Sequence, residues 1–148
     1  MINFSQHTYM KLQPELSSKF WSLVSKSTDE SEQENISASY VSMAEAWDLI
    51  PEPKHMYDLS FIAAKCLAGM YLRDGNIGEA EKWAEILMSC DMERPETGER
   101  EVMKAMVHFE KGEFTEARRL FEIVDHRSQG RLWKSIDKKY FKFFKSKK

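Results

Sequence analysis

Ala80-Glu81-Lys82-Trp83-Ala84-Glu85-Ile86 is the stretch that decides how this chain is read. Thirty-six residues earlier stands Ala44-Glu45-Ala46-Trp47-Asp48-Leu49-Ile50, so the pattern Ala-Glu-x-Trp-x-x-Ile occurs twice. Ala117-Arg118-Arg119-Leu120-Phe121-Glu122-Ile123 follows 37 residues after Ala80 and keeps the outer Ala and Ile, with Leu120 in place of Trp. A period of this size on helical segments is the signature of stacked helix pairs, in which each unit buries its apolar face against its neighbours.

Outward from the three copies, apolar residues recur at helical spacing. Residues 1–13 read as a lead-in. Pro14 suits the first position of a helix, where a missing N–H costs nothing. Leu16, Phe20, Leu23 and Val24 extend that helix over 14–27. Ser27 to Glu34 is polar and reads as a loop. Helices are then expected over 34–50, stopped by Pro51 and Pro53, and over 54–73. The second of these is apolar on most sides and therefore central. Further helices are expected over 76–90, 96–111 and 113–124. Gly75 and Gly112 end two of them, because glycine takes the left-handed conformation at a helix C-terminus without penalty. A last helix begins near Ser128 or Arg131, with Leu132, Trp133, Ile136, Tyr140, Phe143 and Phe144 as its stripe. The expected organisation is one all-α domain over 1–148. Helix pairs occupy 14–50, 54–90 and 96–125, and a basic capping helix occupies 128–148.

The composition agrees with a globular helical chain: 42% of residues are hydrophobic and 31% charged, with few Gly and Pro. Cys66 and Cys90 form no CxxC pair, and the first residues have no apolar core of a signal peptide. A reducing, cytoplasmic setting is the expectation. The net charge of −2 hides a division. Eight Lys/Arg against Asp137 give +7 from Arg131 onward, so the preceding 130 residues carry −9.

The segments Leu67-Ala68-x-x-Tyr71-x-x-x-Gly75-x-Ile77-x-x-Ala80 and Ala105-x-x-His108-x-x-x-Gly112-x-Phe114-x-x-Ala117 resemble tetratricopeptide repeats. The resemblance covers about residues 35–125. His108 departs from the usual Tyr, and the periods of 36 and 37 exceed the usual 34. It implies paired helices brought close by small residues such as Ala68 and Ala80, with Tyr71 and Trp83 filling space between layers and Trp47 one layer earlier. It also implies a concave face built from the first helix of each pair. Lys65, Arg73, Glu99, Val102, Met106, Phe109 and Glu110 are the partner-binding residues it points to. Gly69 and Met106 stand where a carboxylate clamp for C-terminal peptides would place Asn.

No catalytic pattern competes with that reading. His7, His55, His108 and His126 show no metal-ligand spacing, the carboxylates alternate with Lys and Arg, and no Gly-rich phosphate loop is present. The expectation is a protein without cofactor or metal that is not an enzyme. It is a protein-binding module similar in size and charge to small bacterial immunity proteins that neutralise a cognate toxin, such as a nuclease. Nuclease toxins are typically basic, and an acidic partner meets them quickly. The alternatives are a cytoplasmic chaperone or adaptor, and nucleic-acid binding through the basic C-terminal tail. In that tail, Leu132, Trp133, Ile136 and Tyr140 are read first as a cap, with the lysines as a solvated end.

Overall fold

A computed structural model describes residues 10–91 and 97–146. It is all-α. Seven α-helices stand among the described residues: α1 (Pro14–Glu32), α2 (Ile36–Asp48), α3 (Asp58–Arg73), α4 (Ile77–Ser89), α5 (Glu99–Glu110), α6 (Phe114–Ser128) and α7 (Lys138–Lys145). Short 3-10 turns occupy Lys54–Met56 and Arg131–Lys134. The chain divides into two compact units, Met1–Leu67 with Ser89–Glu93, and Ala68–Met88 with Arg94–Lys148.

In the first unit α1 packs along α2. The stretch expected to be a loop after Ser27 is instead the last turns of α1. Its polar residues are consumed by the helix contact: Ser27 is buried and donates its hydroxyl to the Ser39 carbonyl at 2.7 Å, and Ser42 donates to Glu30 at 2.7 Å. Ser39 bonds back to the Ile36 carbonyl and Ser60 to that of Lys54, so all four buried serines are satisfied. Phe20, Met43, Ala46, Ile50, Leu59 and Leu67 supply the apolar core. Pro51 and Pro53 do stop α2. Lys54 then folds back, its ammonium 3.1 Å from the Trp47 carbonyl and 2.5 Å from that of Ile50, which satisfies acceptors at the helix end.

In the second unit α5 packs along α6. Ala80, Ala84, Leu87, Ala105, Val107, Ala117, Phe121 and Val124 are buried. Ion pairs join α4 to α5: Lys104 to Glu85 at 3.3 Å and Lys111 to Glu81 at 2.6 Å. Both lie at the surface, where solvent screening leaves an ion pair little net worth, so the alanine-rich core carries the unit. The expected continuous last helix is broken in two. Gln129 and Gly130 are both left-handed, the 3-10 turn follows, and Asp137 caps α7 by accepting the Lys139 N–H at 2.9 Å.

One turn links the two helices of three hairpins, and it recurs after α6 at Gln129, where Gly130 donates its N–H to the Asp125 carbonyl at 3.0 Å. Glu34, Gly75 and Gly112 have φ of 63°, 83° and 80°. The following residue, Asn35, Asn76 or Glu113, donates its N–H to the carbonyl of Glu30, Tyr71 or His108 at 2.8–2.9 Å. Counted from these turns, the burial pattern coincides. Ser39, Ala80 and Ala117 are each 0% exposed, and Ala46, Leu87 and Val124 are each buried. On the preceding helices the matching buried small residues are Ser27, Ala68 and Ala105. The first hairpin is thus 41 residues from the second, not the 36 of the Ala-Glu-x-Trp match. In this register Trp83 matches Ser42 and Leu120, whereas Trp47 matches Met88 and Asp125. Trp47 and Trp83 are both half-buried and are not equivalent.

Candidate partner-binding surface

The turn register aligns the first helices as well. Trp21, Ile62 and Glu99 share one position; Val24, Lys65 and Val102 the next; then Ser31, Leu72 and Phe109; then Glu32, Arg73 and Glu110. The residues singled out from sequence therefore occupy one recurrent helix face. Lys65, in the first unit, is exposed, with its ammonium 5.9 Å from the Phe61 ring. The other six lie in the second unit. Arg73 is exposed and makes a two-pronged pair with Asp74, at 2.8 and 3.0 Å. Glu99 and Val102 are half-buried on α5. Met106 is buried.

Phe109 and Glu110 are engaged by α7. The Phe109 ring meets Phe114, Tyr140 and Phe143 edge-on at centroid distances of 5.0–5.4 Å. Glu110 accepts the Tyr140 hydroxyl at 2.8 Å and pairs with Lys139 at 2.7 Å. Burial and the neighbouring Glu110 carboxylate push the Tyr140 hydroxyl far above its ordinary pKa, so it stays a hydrogen-bond donor at every physiological pH. Arg118 closes the other end of α7. It donates to the Phe144 and Phe143 carbonyls at 2.8 and 3.2 Å and stacks over Phe143 at 4.4 Å. Tyr140 and Leu132 are buried, so the segment covers part of the second unit's apolar surface. Beside it a cavity of about 790 Å³ is lined by Phe109, Phe114, Arg118, Arg119, Glu122 and Phe143.

Sequence reasoning passed over Trp21. It is 47% exposed, edge-on to Phe20 at 5.3 Å, above a depression lined by Ser18, Ser22, Ser25, Lys26 and Asp29. A signal was available: Trp21 is the one large apolar residue of its helix outside the stripe Leu16, Phe20, Leu23, Val24.

The remaining chemistry is modest. His108 lies 2.7 Å from Glu113, and Lys111 bridges Glu113 and Glu81. The His108 hydrogen bond, followed by the Lys111 charge, holds the Glu113 carboxyl below its usual range. Burial pushes the Cys66 thiol up, which leaves it a poor nucleophile. Among the described residues no group of three or more His, Cys, Asp and Glu side chains is placed to hold a metal ion. No described helix is long and apolar enough to cross a membrane. Charge differs between the units. The described residues of the first carry ten carboxylates against five lysines, a net −5, and those of the second twelve against fourteen Lys/Arg, a net +2.

Comparison with protein-family models, curated proteins and solved structures returns no match.

Proposed function

We propose that this chain is a tetratricopeptide-like array acting as a non-catalytic protein-binding module. The partner is a basic protein, most simply a cognate toxin that the chain binds and neutralises. The turn shared by the three hairpins supports the array, with buried small residues twelve positions apart in each hairpin: Ser27/Ser39, Ala68/Ala80 and Ala105/Ala117. The single observation that carries the binding role is Trp21. A half-exposed tryptophan is costly to leave in water and characteristic of interface anchors. It stands at the helix position that Glu99 takes in the third hairpin, within a unit of net charge −5. Acidic surface speeds encounter with a basic partner, while the apolar anchor slows its departure.

The test is affinity capture from the native cell with the full-length chain, followed by binding kinetics. The expected result is one basic protein held at fixed stoichiometry, which arrests growth when produced alone and does not when this chain is co-produced. A captured partner that is a harmless client would replace neutralisation by a chaperone role. Failure to retain any protein, with the chain folded and monodisperse, would remove the binding proposal.

A further inference from the structure

Six of the eight described cations of the second unit that precede Arg131 are already neutralised. Arg73, Lys82, Lys104, Lys111, Arg119 and Arg127 each lie within 3.8 Å of a carboxylate. The C-terminal segment breaks this rule. Lys139 pairs with Glu110, but among the described residues Arg131, Lys134, Lys138, Lys142 and Lys145 have no such partner. Asp137, the one acid of the segment, is occupied in capping α7.

The free charge is also ordered. Lys138, Phe141, Lys142 and Lys145 follow helical spacing of zero, three, four and seven, which puts them on one face of α7. All four are exposed, and Phe141 keeps 39% of its surface open. Its ring lies 5.1 Å from Trp133 and 5.8 Å from the Lys145 ammonium. The opposite face is spent on the fold, through Tyr140 and Phe143 against Phe109 and Phe121.

This division decides what the surface fits. An interfacial membrane helix must bury its apolar face in lipid. Here that face is covered by protein, and Phe141 is the one aromatic of α7 left exposed. A single-stranded nucleic acid needs something else: cations for the phosphates and an open aromatic face on which a base can stack. We propose that the outer face of α7 binds the backbone of a single-stranded nucleic acid. Lys138, Lys142 and Lys145 contact phosphates and Phe141 stacks with a base. This site is separate from the protein-binding face proposed above and stands or falls independently of it.

The experiment is fluorescence anisotropy of a labelled oligouridylate of roughly 16 nucleotides with the full-length chain. Counterion release lowers log K by about 0.7 per phosphate contact for each unit of log salt. Three contacts therefore predict about 20-fold weaker binding at about 200 mM than at about 50 mM salt. The triple variant K138Q/K142Q/K145Q is expected to reduce that slope by about 2, and Phe141→Ala to weaken binding about tenfold. These side chains are exposed, and unchanged circular dichroism of the variants verifies the fold. No binding at the lower salt, or a triple variant that binds like the native chain, overturns the proposal. So does binding to phosphatidylserine vesicles without binding to the oligonucleotide.

Discussion

Ser27 on α1 donates its hydroxyl to the main-chain carbonyl of Ser39 on α2, at 2.7 Å and out of contact with solvent. In the other two hairpins both positions are alanine: Ala68 with Ala80, and Ala105 with Ala117. What the three have in common is small size, which between α1 and α2 and between α5 and α6 lets the paired helices approach closely. Ser27→Ala should therefore be mild, within about 1 kcal/mol, since it removes a donor and leaves a carbonyl able to keep a helical bond. Ser27→Leu should cost about 1–3 kcal/mol or more through overpacking. Urea unfolding of both variants checks this. Equal effects would mean that the hydrogen bond, rather than the space, holds the hairpin.

The recurrent turn gives a second expectation. Glu34 holds a left-handed φ of 63° where the turns of the other two hairpins use glycine. That conformation costs an L-residue about 1–2 kcal/mol, partly offset by the greater unfolded-state freedom of glycine. Glu34→Gly should stabilise the protein by about 0.5–1 kcal/mol, and Gly75→Ala should destabilise it by about the same. The two melting temperatures should move in opposite directions.

The C-terminal clamp rests on Tyr140. Tyr140→Phe removes the bond to Glu110, which keeps Lys139, and should cost about 1–2 kcal/mol. Tyr140→Ala also empties the aromatic cluster and should cost about 3–5 kcal/mol. Denaturant titration followed by tryptophan fluorescence reads both, with Trp133 5.3 Å from the Phe121 ring as the local probe. An unaltered midpoint for Tyr140→Ala would show that α7 adds nothing to stability.

For the protein partner, Trp21→Ala and Glu99→Lys are the informative substitutions. Trp21 is exposed, so Trp21→Ala should leave the melting temperature nearly unchanged. Trp21→Ala should raise the off-rate at least tenfold, the effect of losing an anchor of about 2 kcal/mol. Glu99→Lys should lower the on-rate, more at low salt than at high. Met106, Phe109 and Glu110 are poorer probes, since each is buried or bound to α7. Association and dissociation rates insensitive to both substitutions would move the contact off these helices.

Glu113 gives a pH expectation of defined sign. Its folded carboxyl is held below its unfolded value, first by the His108 hydrogen bond and then by Lys111. The associated stability is present above the unfolded pKa, about 4.3, and is lost as pH falls through the lower folded value. Glu113→Gln should therefore lower the melting temperature at neutral pH, where that contribution is present, and flatten its decline below the unfolded pKa. A decline of unaltered steepness would show that the bond to His108 does not persist in solution.

The sequence by itself determined the all-helical class, the positions of α2 to α6 to within a few residues, and the turns at Gly75 and Gly112. These are local properties: apolar spacing near 3.6 and a residue that accepts positive φ. It also marked the aromatic stripe of the C-terminal segment as a packed face, because such a stripe on a basic helix has to be covered. Tertiary structure alone decided the first hairpin. Its turn uses Glu34 where a glycine was the signal, and its close helix contact uses serines whose polarity reads as loop until their hydroxyls find carbonyl and carboxylate partners. The register followed from that. The match between Trp47 and Trp83 lies five residues from the structural equivalence, a rotation of about 140° around a helix of 3.6 residues per turn, so similar letters face different surroundings. Trp21 escaped for the same reason. Its exposure depends on which face of α1 its neighbours cover, and only the packed chain specifies that.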